Sequence, residues 1–104
     1  MKEIDVQNSI RLALNPHAIV FRANVGTFKT ADGRMVSTGL PKGFSDLFGF
    51  RKSDGKVFFI EVKNGKGRVR PDQKHFIEMM QKNGAIAGVA RSAEEAIQLV
   101  TVDV

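Results

Sequence analysis

A chain of 104 residues suffices for one hydrophobic core, so a single domain over residues 1–104 is expected, with no metal or disulfide staple needed to hold it. The absence of cysteine excludes disulfides and thiolate zinc sites. No apolar run approaches the roughly 20 residues that cross a bilayer, and MKEIDVQNSI lacks the apolar segment of a secretory leader, so a soluble, intracellular protein is expected. The net charge of +5 is concentrated: residues 51–75 hold eight Lys or Arg against three acids, and the remainder balances at eight against eight. Such an excess suits a surface that meets a polyanion, and an ordinary solvated basic face is the plainer alternative.

In chain order, Lys2 to Leu14 reads as a helix, with Glu3, Gln7, Ile10 and Leu14 spaced four, three and four apart along one face. Asn15-Pro16 ends it. The β-branched and aromatic run AIVFRA (18–23) predicts a first strand, and DLFGF (46–50) and KVFFIEVK (56–63) predict two more, joined as a hairpin through Ser53-Asp54-Gly55. Between Asn24 and Ser45 the chain is rich in Gly, Thr and Ser, reading as a long loop or a small hairpin turning at Ala31-Asp32-Gly33. Pro71 opens a second helix to about Lys82, with Phe76, Ile77, Met79 and Met80 facing inward and Gly84 as its stop. The run AIAGVA (85–90) predicts a strand covered on both faces, and Ser92 with Glu95 forms a capping box for a last helix. The order is α-β-β-β-α-β-α, an α/β fold with a mixed sheet and helices on both faces.

The segment FFIEVKNGKG (58–67) breaks the strand rules. With a period of two, Phe58, Ile60 and Val62 point one way, while Val57, Phe59, Glu61 and Lys63 point the other, so one face begins apolar and ends in an acid and a base. An acid, any residue, then lysine occurs three times in the chain, at 54–56, 61–63 and 72–74, and the middle copy alone falls on a predicted strand, where both groups share a side. A strand emerging into solvent is the plain explanation. Asp46 changes the balance, because it opens the neighbouring strand and would lie beside Glu61 across the ladder. Two adjacent carboxylates repel unless a cation lies between them, and Mg²⁺ or Mn²⁺ prefers oxygen ligands of this kind. His17 and His75, 58 positions apart and without cysteine partners, need no metal role. The glycines of Asn64-Gly65-Lys66-Gly67 lack the spacing of a phosphate-binding loop, so no nucleotide cofactor is indicated.

Asp46 followed at strand spacing by Glu61-Val62-Lys63, within this element order, resembles the PD-(D/E)XK nuclease superfamily, and more narrowly a stand-alone virus-type replication-repair nuclease (VRR-NUC) domain. The resemblance includes Glu3 in the first helix, Gly43-x-x-Asp46, Glu61-x-Lys63 and Gln73 entering the next helix. Ser45 stands where the superfamily nominally has proline. It implies a metal-dependent DNA endonuclease in which Asp46, Glu61 and the Val62 carbonyl hold Mg²⁺ or Mn²⁺. Lys63 would orient the attacking water and offset charge on the phosphate, and Gln73 and Glu3 would complete the catalytic set. Lys66, Arg68 and Arg70 would form a basic rim for backbone phosphates, with Lys74, Lys42 and Arg22 as further contacts. Phe28 and Phe44 are the loop aromatics available for base stacking. The resemblance further implies a homodimer acting on branched DNA such as four-way junctions, in the cytoplasm of a bacterial or phage-infected cell. Flap or single-strand cleavage, or a non-catalytic nucleic-acid-binding module, are the alternatives. The sequence does not identify the dimer surface, although the apolar residues Ile97, Leu99, Val100, Val102 and Val104 include more than one helix face can bury.

Overall fold

The structure, a computed structural model, describes residues 1–103; Val104 lies outside the described residues. In chain order the elements are α1 (Glu3–Leu14), β1 (Ala18–Arg22), β2 (Thr27–Lys29), β3 (Met35–Ser37), β4 (Leu47–Arg51), β5 (Val57–Val62), α2 (Pro71–Lys82), β6 (Ile86–Ala90) and α3 (Ala93–Thr101). β1, β4, β5 and β6 form one sheet in that order, and β2 with β3 forms a separate two-stranded hairpin. Of the two readings of the Asn24 to Ser45 segment, the structure adopts the small hairpin, which adds two strands to the expected order. Its cause is local: Thr30 N donates to Arg34 O at 2.8 Å around the Ala31-Asp32-Gly33 turn.

β4 and β5 pair antiparallel through the expected turn, closed by Gly55 N donating to Arg51 O at 2.8 Å. α2 then carries the chain to β6, which pairs parallel with β5. The alternation of β5 sets the two layers. Phe58, Ile60 and Val62 are fully buried against Val6, Ile10 and Leu14 of α1 and Ala96 and Val100 of α3. Each large apolar side chain removed from water there contributes about 1.5–3 kcal/mol. On the opposite face Phe59 meets Phe76 of α2 and Phe44, with ring centroids 5.5 and 5.7 Å apart.

Several expectations are corrected. Met79 is exposed, because the face of α2 that meets the sheet is narrower than the apolar count suggested, with Phe76 and Ile77 as its buried members. Glu95 closes its cap one residue early: Ser92 Oγ accepts from Glu95 N at 3.2 Å, but the Glu95 carboxylate accepts from Arg91 N, not Ser92 N. Val100 is fully buried and Ile97 and Leu99 are partly buried against the same core, while Val102 is exposed. Phe44 is half-buried against Phe48, Phe59 and Phe76, and Phe28 is exposed on β2. The polarity of β5 is also inverted from what solvent exposure would suggest. Val57, at the turn end, is 44% exposed, whereas Glu61 is 1% and Lys63 7% exposed.

Candidate active site

The buried charges at the end of β5 face a cleft of about 250 Å³ lined by Glu3, Asp46, Glu61, Lys63, Arg70 and Gln73, with Lys42, Gly43, Phe44, Ala23 and Val25 at its edges. Larger clefts lie beside α1 and between β6 and α3, about 430 and 500 Å³, but neither gathers more than one carboxylate.

Each side chain has an identifiable support. The β4–β5 register, Leu47 opposite Ile60, sets Asp46 opposite Glu61 just beyond the last ladder pair. Asp46 is held twice: its carbonyl accepts from Ala23 N at 2.8 Å, and its Oδ2 accepts from Val62 N at 2.9 Å. The N–H and C=O of one strand residue point to the same flank, so the Val62 carbonyl also faces the Asp46 side. Lys63 leaves the sheet through Lys63 N donating to Ala90 O of β6 at 3.2 Å.

Gln73 acts through both ends of its amide. Oε1 accepts from Arg70 N at 3.0 Å, capping the start of α2, and Nε2 donates to Glu61 Oε2 at 2.9 Å. Gly43 brings this helix start to the strand: its φ is +90°, and a β-carbon there would lie 2.4 Å from the Asp72 carbonyl oxygen. That position therefore excludes any side chain on both counts.

Glu61 is the electrostatic centre. Its Oε2 receives Gln73 and lies 3.4 Å from Lys63 Nζ, while its Oε1 is buried with no hydrogen-bond partner among the described residues. Burial, then the negative charge of Asp46, pushes the Glu61 carboxyl up to about 8, against a smaller opposing pull from Lys63. A carboxyl raised this far by burial and a like neighbour is the environment in which a bound cation is most strongly favoured. Asp46 and Glu61 are not joined by a third Asp, Glu, His or Cys in any metal-sized cluster among the described residues. Two carboxylates and a carbonyl fit Mg²⁺ or Mn²⁺, which keep several waters, better than zinc.

Of the sequence candidates, Asp46, Glu61, Lys63, Gln73, Glu3, Arg70 and Lys42 thus line one cleft. Lys66 and Arg68 are on the loop behind Lys63, Lys74 is exposed and lines a different groove on α2, and Arg22 is exposed at the end of β1. Sequence reasoning missed Arg91, whose guanidinium reaches that loop from 27 residues away; a separation of that size leaves no local signal.

The VRR-NUC domain family matches residues 27–94, a span containing Asp46, Glu61, Lys63 and Gln73 but not Glu3. A solved structure described as a VRR-NUC domain protein has a similar fold, with a TM-score of 0.65 at 20% identity over 97% of this chain and 86% of that one. No curated protein matches the chain.

Proposed function

This chain belongs to the VRR-NUC domain family, whose function is that of a nuclease, and from that premise we propose that residues 1–104 act as one metal-dependent DNA endonuclease domain hydrolysing phosphodiester bonds at the Asp46–Glu61–Lys63 cleft. The observation that carries the reading is the buried Glu61 carboxyl, beside Asp46, with one oxygen unpartnered among the described residues, on the same cleft as Lys63.

Asp46, the free Oε1 of Glu61 and the Val62 carbonyl would hold Mg²⁺ or Mn²⁺. Such an ion, when bound, supplies Lewis acidity at the scissile phosphate and lowers the pKa of a coordinated water. The remaining work falls to the side chains. Gln73 fixes the rotation of the Glu61 carboxylate by holding Oε2, which leaves Oε1 without a partner among the described residues. Lys63 Nζ donates hydrogen bonds toward the attacking water and toward a phosphate oxygen as negative charge builds on it. Arg70 and Lys42, at the cleft edge, hold the flanking phosphates, with Lys66, Arg68, Lys74 and Arg22 extending the backbone contacts outward. Glu3 lines the same cleft on the Gly67 side, beside the stem of Lys63.

We assign the substrate to branched DNA, four-way junctions in particular, cut by a homodimer. One small cleft cuts one strand, and a closed two-fold pair presents two clefts to two strands. Incubating the protein with plasmid, flap and four-way-junction DNA in Mg²⁺ or Mn²⁺, with an EDTA control, tests activity and substrate together, and light scattering tests assembly. Metal-dependent paired nicks at junctions by a dimer are expected. A monomer that cuts flaps and spares junctions would overturn the substrate and assembly, and binding with no metal-dependent cleavage would make the domain a non-catalytic module.

A further inference from the structure

Arg91, the first residue after β6, sends its guanidinium across to the loop that follows Lys63. One nitrogen, Nη1, donates to both Asn64 O at 2.6 Å and Gly67 O at 2.7 Å. These are the two ends of a tight turn, closed inside by the Asn64 side chain, whose Oδ1 accepts from Lys66 N at 3.1 Å and Gly67 N at 2.8 Å. The turn is packed on the cleft. A β-carbon on Gly67 would lie 3.3 Å from Lys63 Cδ and 3.6 Å from Glu3 Oε2, so the Gly67 backbone is the wall along which the Lys63 stem runs.

Two adjacent residues of one strand end therefore hold Lys63 from both sides. The Ala90 carbonyl takes the Lys63 N–H, and Arg91 ties down the turn covering its side chain. Arg91 is itself fixed, since its own N–H donates to Glu95 Oε1 at 2.7 Å at the start of α3. Its two carbonyl contacts involve a charged donor, the stronger class of hydrogen bond.

We infer that Arg91 is a positioning residue for Lys63: it clamps the Asn64–Gly67 turn so that the turn's glycine wall holds the lysine amino group at Glu61 and the cleft. This rests on the nuclease reading for its kinetic consequence, but the clamp itself is testable without catalysis.

In Arg91→Ala, amide exchange at Lys66 and Gly67 should accelerate by about 10-fold or more while the strands keep their protection, because the turn loses two charge-assisted bonds. Single-turnover cleavage should fall by about 10- to 100-fold with DNA affinity changed less than about threefold, the pattern of a displaced catalytic group. Guanidinium ion added at millimolar concentration should recover part of the rate, and Arg91→Lys should retain more activity than Arg91→Ala. Unchanged exchange at Lys66 and Gly67 would overturn the clamp. A freed turn with full cleavage would overturn its role in positioning Lys63, as would a rate loss matched by an equal loss of DNA affinity. If the wild-type protein does not cleave at all, the nuclease reading fails, and the exchange measurement still decides whether the clamp exists.

Discussion

Arg51 on β4 and Glu61 on β5 are charged side chains sunk into neighbouring strands, 3% and 1% exposed, yet their surroundings are opposite in kind. Arg51 faces α3, and its donors are answered: Nη1 by Val100 O at 2.9 Å and by Asp103, and Nε by Asp54 at 3.1 Å, while Asp103 also takes Lys56 at 3.1 Å. Hydrogen bonding to Arg51 drives the Asp54 carboxyl down to about 2. Glu61 faces α2, has a like charge for a neighbour, keeps an oxygen unpartnered among the described residues and is driven up to about 8. A buried charge whose partners are complete joins parts of the fold together. A buried charge left incomplete is a candidate for binding something that is not protein.

Substitution separates the two most strongly at the cleft. Asp46→Ala and Glu61→Ala should each reduce cleavage by more than about 100-fold in a plasmid-nicking assay, because these carboxylates would hold the ion that offsets charge developing at the phosphate. The same variants should stay folded in EDTA, and above about pH 8, where Glu61 has lost its proton, each relieves the repulsion between the two carboxylates. Retention of a tenth of the activity would refute the assignment. Lys63→Ala should remove turnover comparably while calorimetry still detects Mn²⁺ binding; metal binding abolished by Lys63→Ala but kept in Glu61→Ala would exchange their roles.

Arg51→Ala should show the reverse pattern. Leaving Asp54 and Asp103 without their cation and freeing the end of α3 should lower the melting temperature by more than about 5 °C, with cleavage per folded molecule unchanged. A drop in cleavage at full folding would mean that the two clusters are coupled.

Acidity acts on the clusters in opposite directions. In EDTA the folded chain keeps a proton on Glu61 that the unfolded chain, at its ordinary 4.5, has already released, so stability should fall as pH rises from about 4.5 to about 8. Glu61→Gln should flatten that slope in urea titrations, and Mg²⁺ should reduce it. Asp54, lowered from 3.8 to about 2, contributes stability above 3.8 that is lost as pH falls toward 2. A wild-type slope that persists unchanged in Glu61→Gln would place the titrating group elsewhere.

The smallest effect concerns the basic surface. Replacing Lys66, Arg68 and Arg70 together should change the log–log salt dependence of DNA binding by roughly 2 to 3 units, at about 0.9 for each phosphate no longer neutralised. An unchanged slope would move the DNA track to Lys29, Arg34 and Lys42, around the β2–β3 hairpin.

Much of this was legible in the order of residues. Period-two alternation in FFIEVK and the turn residues at 53–55 are local chemistry, and they sufficed for the β4–β5 hairpin and for putting Asp46 beside Glu61. Helix spacing and Pro71 likewise sufficed for α1 and α2, because propensity and apolar period need no distant partner. Composition alone limited the ligand set of any metal to oxygen and imidazole, since no thiolate is present.

What the tertiary structure decided is which end of each pattern is covered. Val57 and Glu61 lie on one face of one strand, and nothing within the strand says that the valine end opens to water and the glutamate end is sealed. The glutamate end is covered by Gln73 at the start of α2, a residue 12 positions away. Packing also divided Gln73 between a helix cap and Glu61, and it committed Ile97, Leu99 and Val100 to the core. It brought Arg91 onto the turn behind Lys63 as well. Each of these joins segments distant in sequence, so its energy depends on the geometry of the whole sheet and has no counterpart in local spacing.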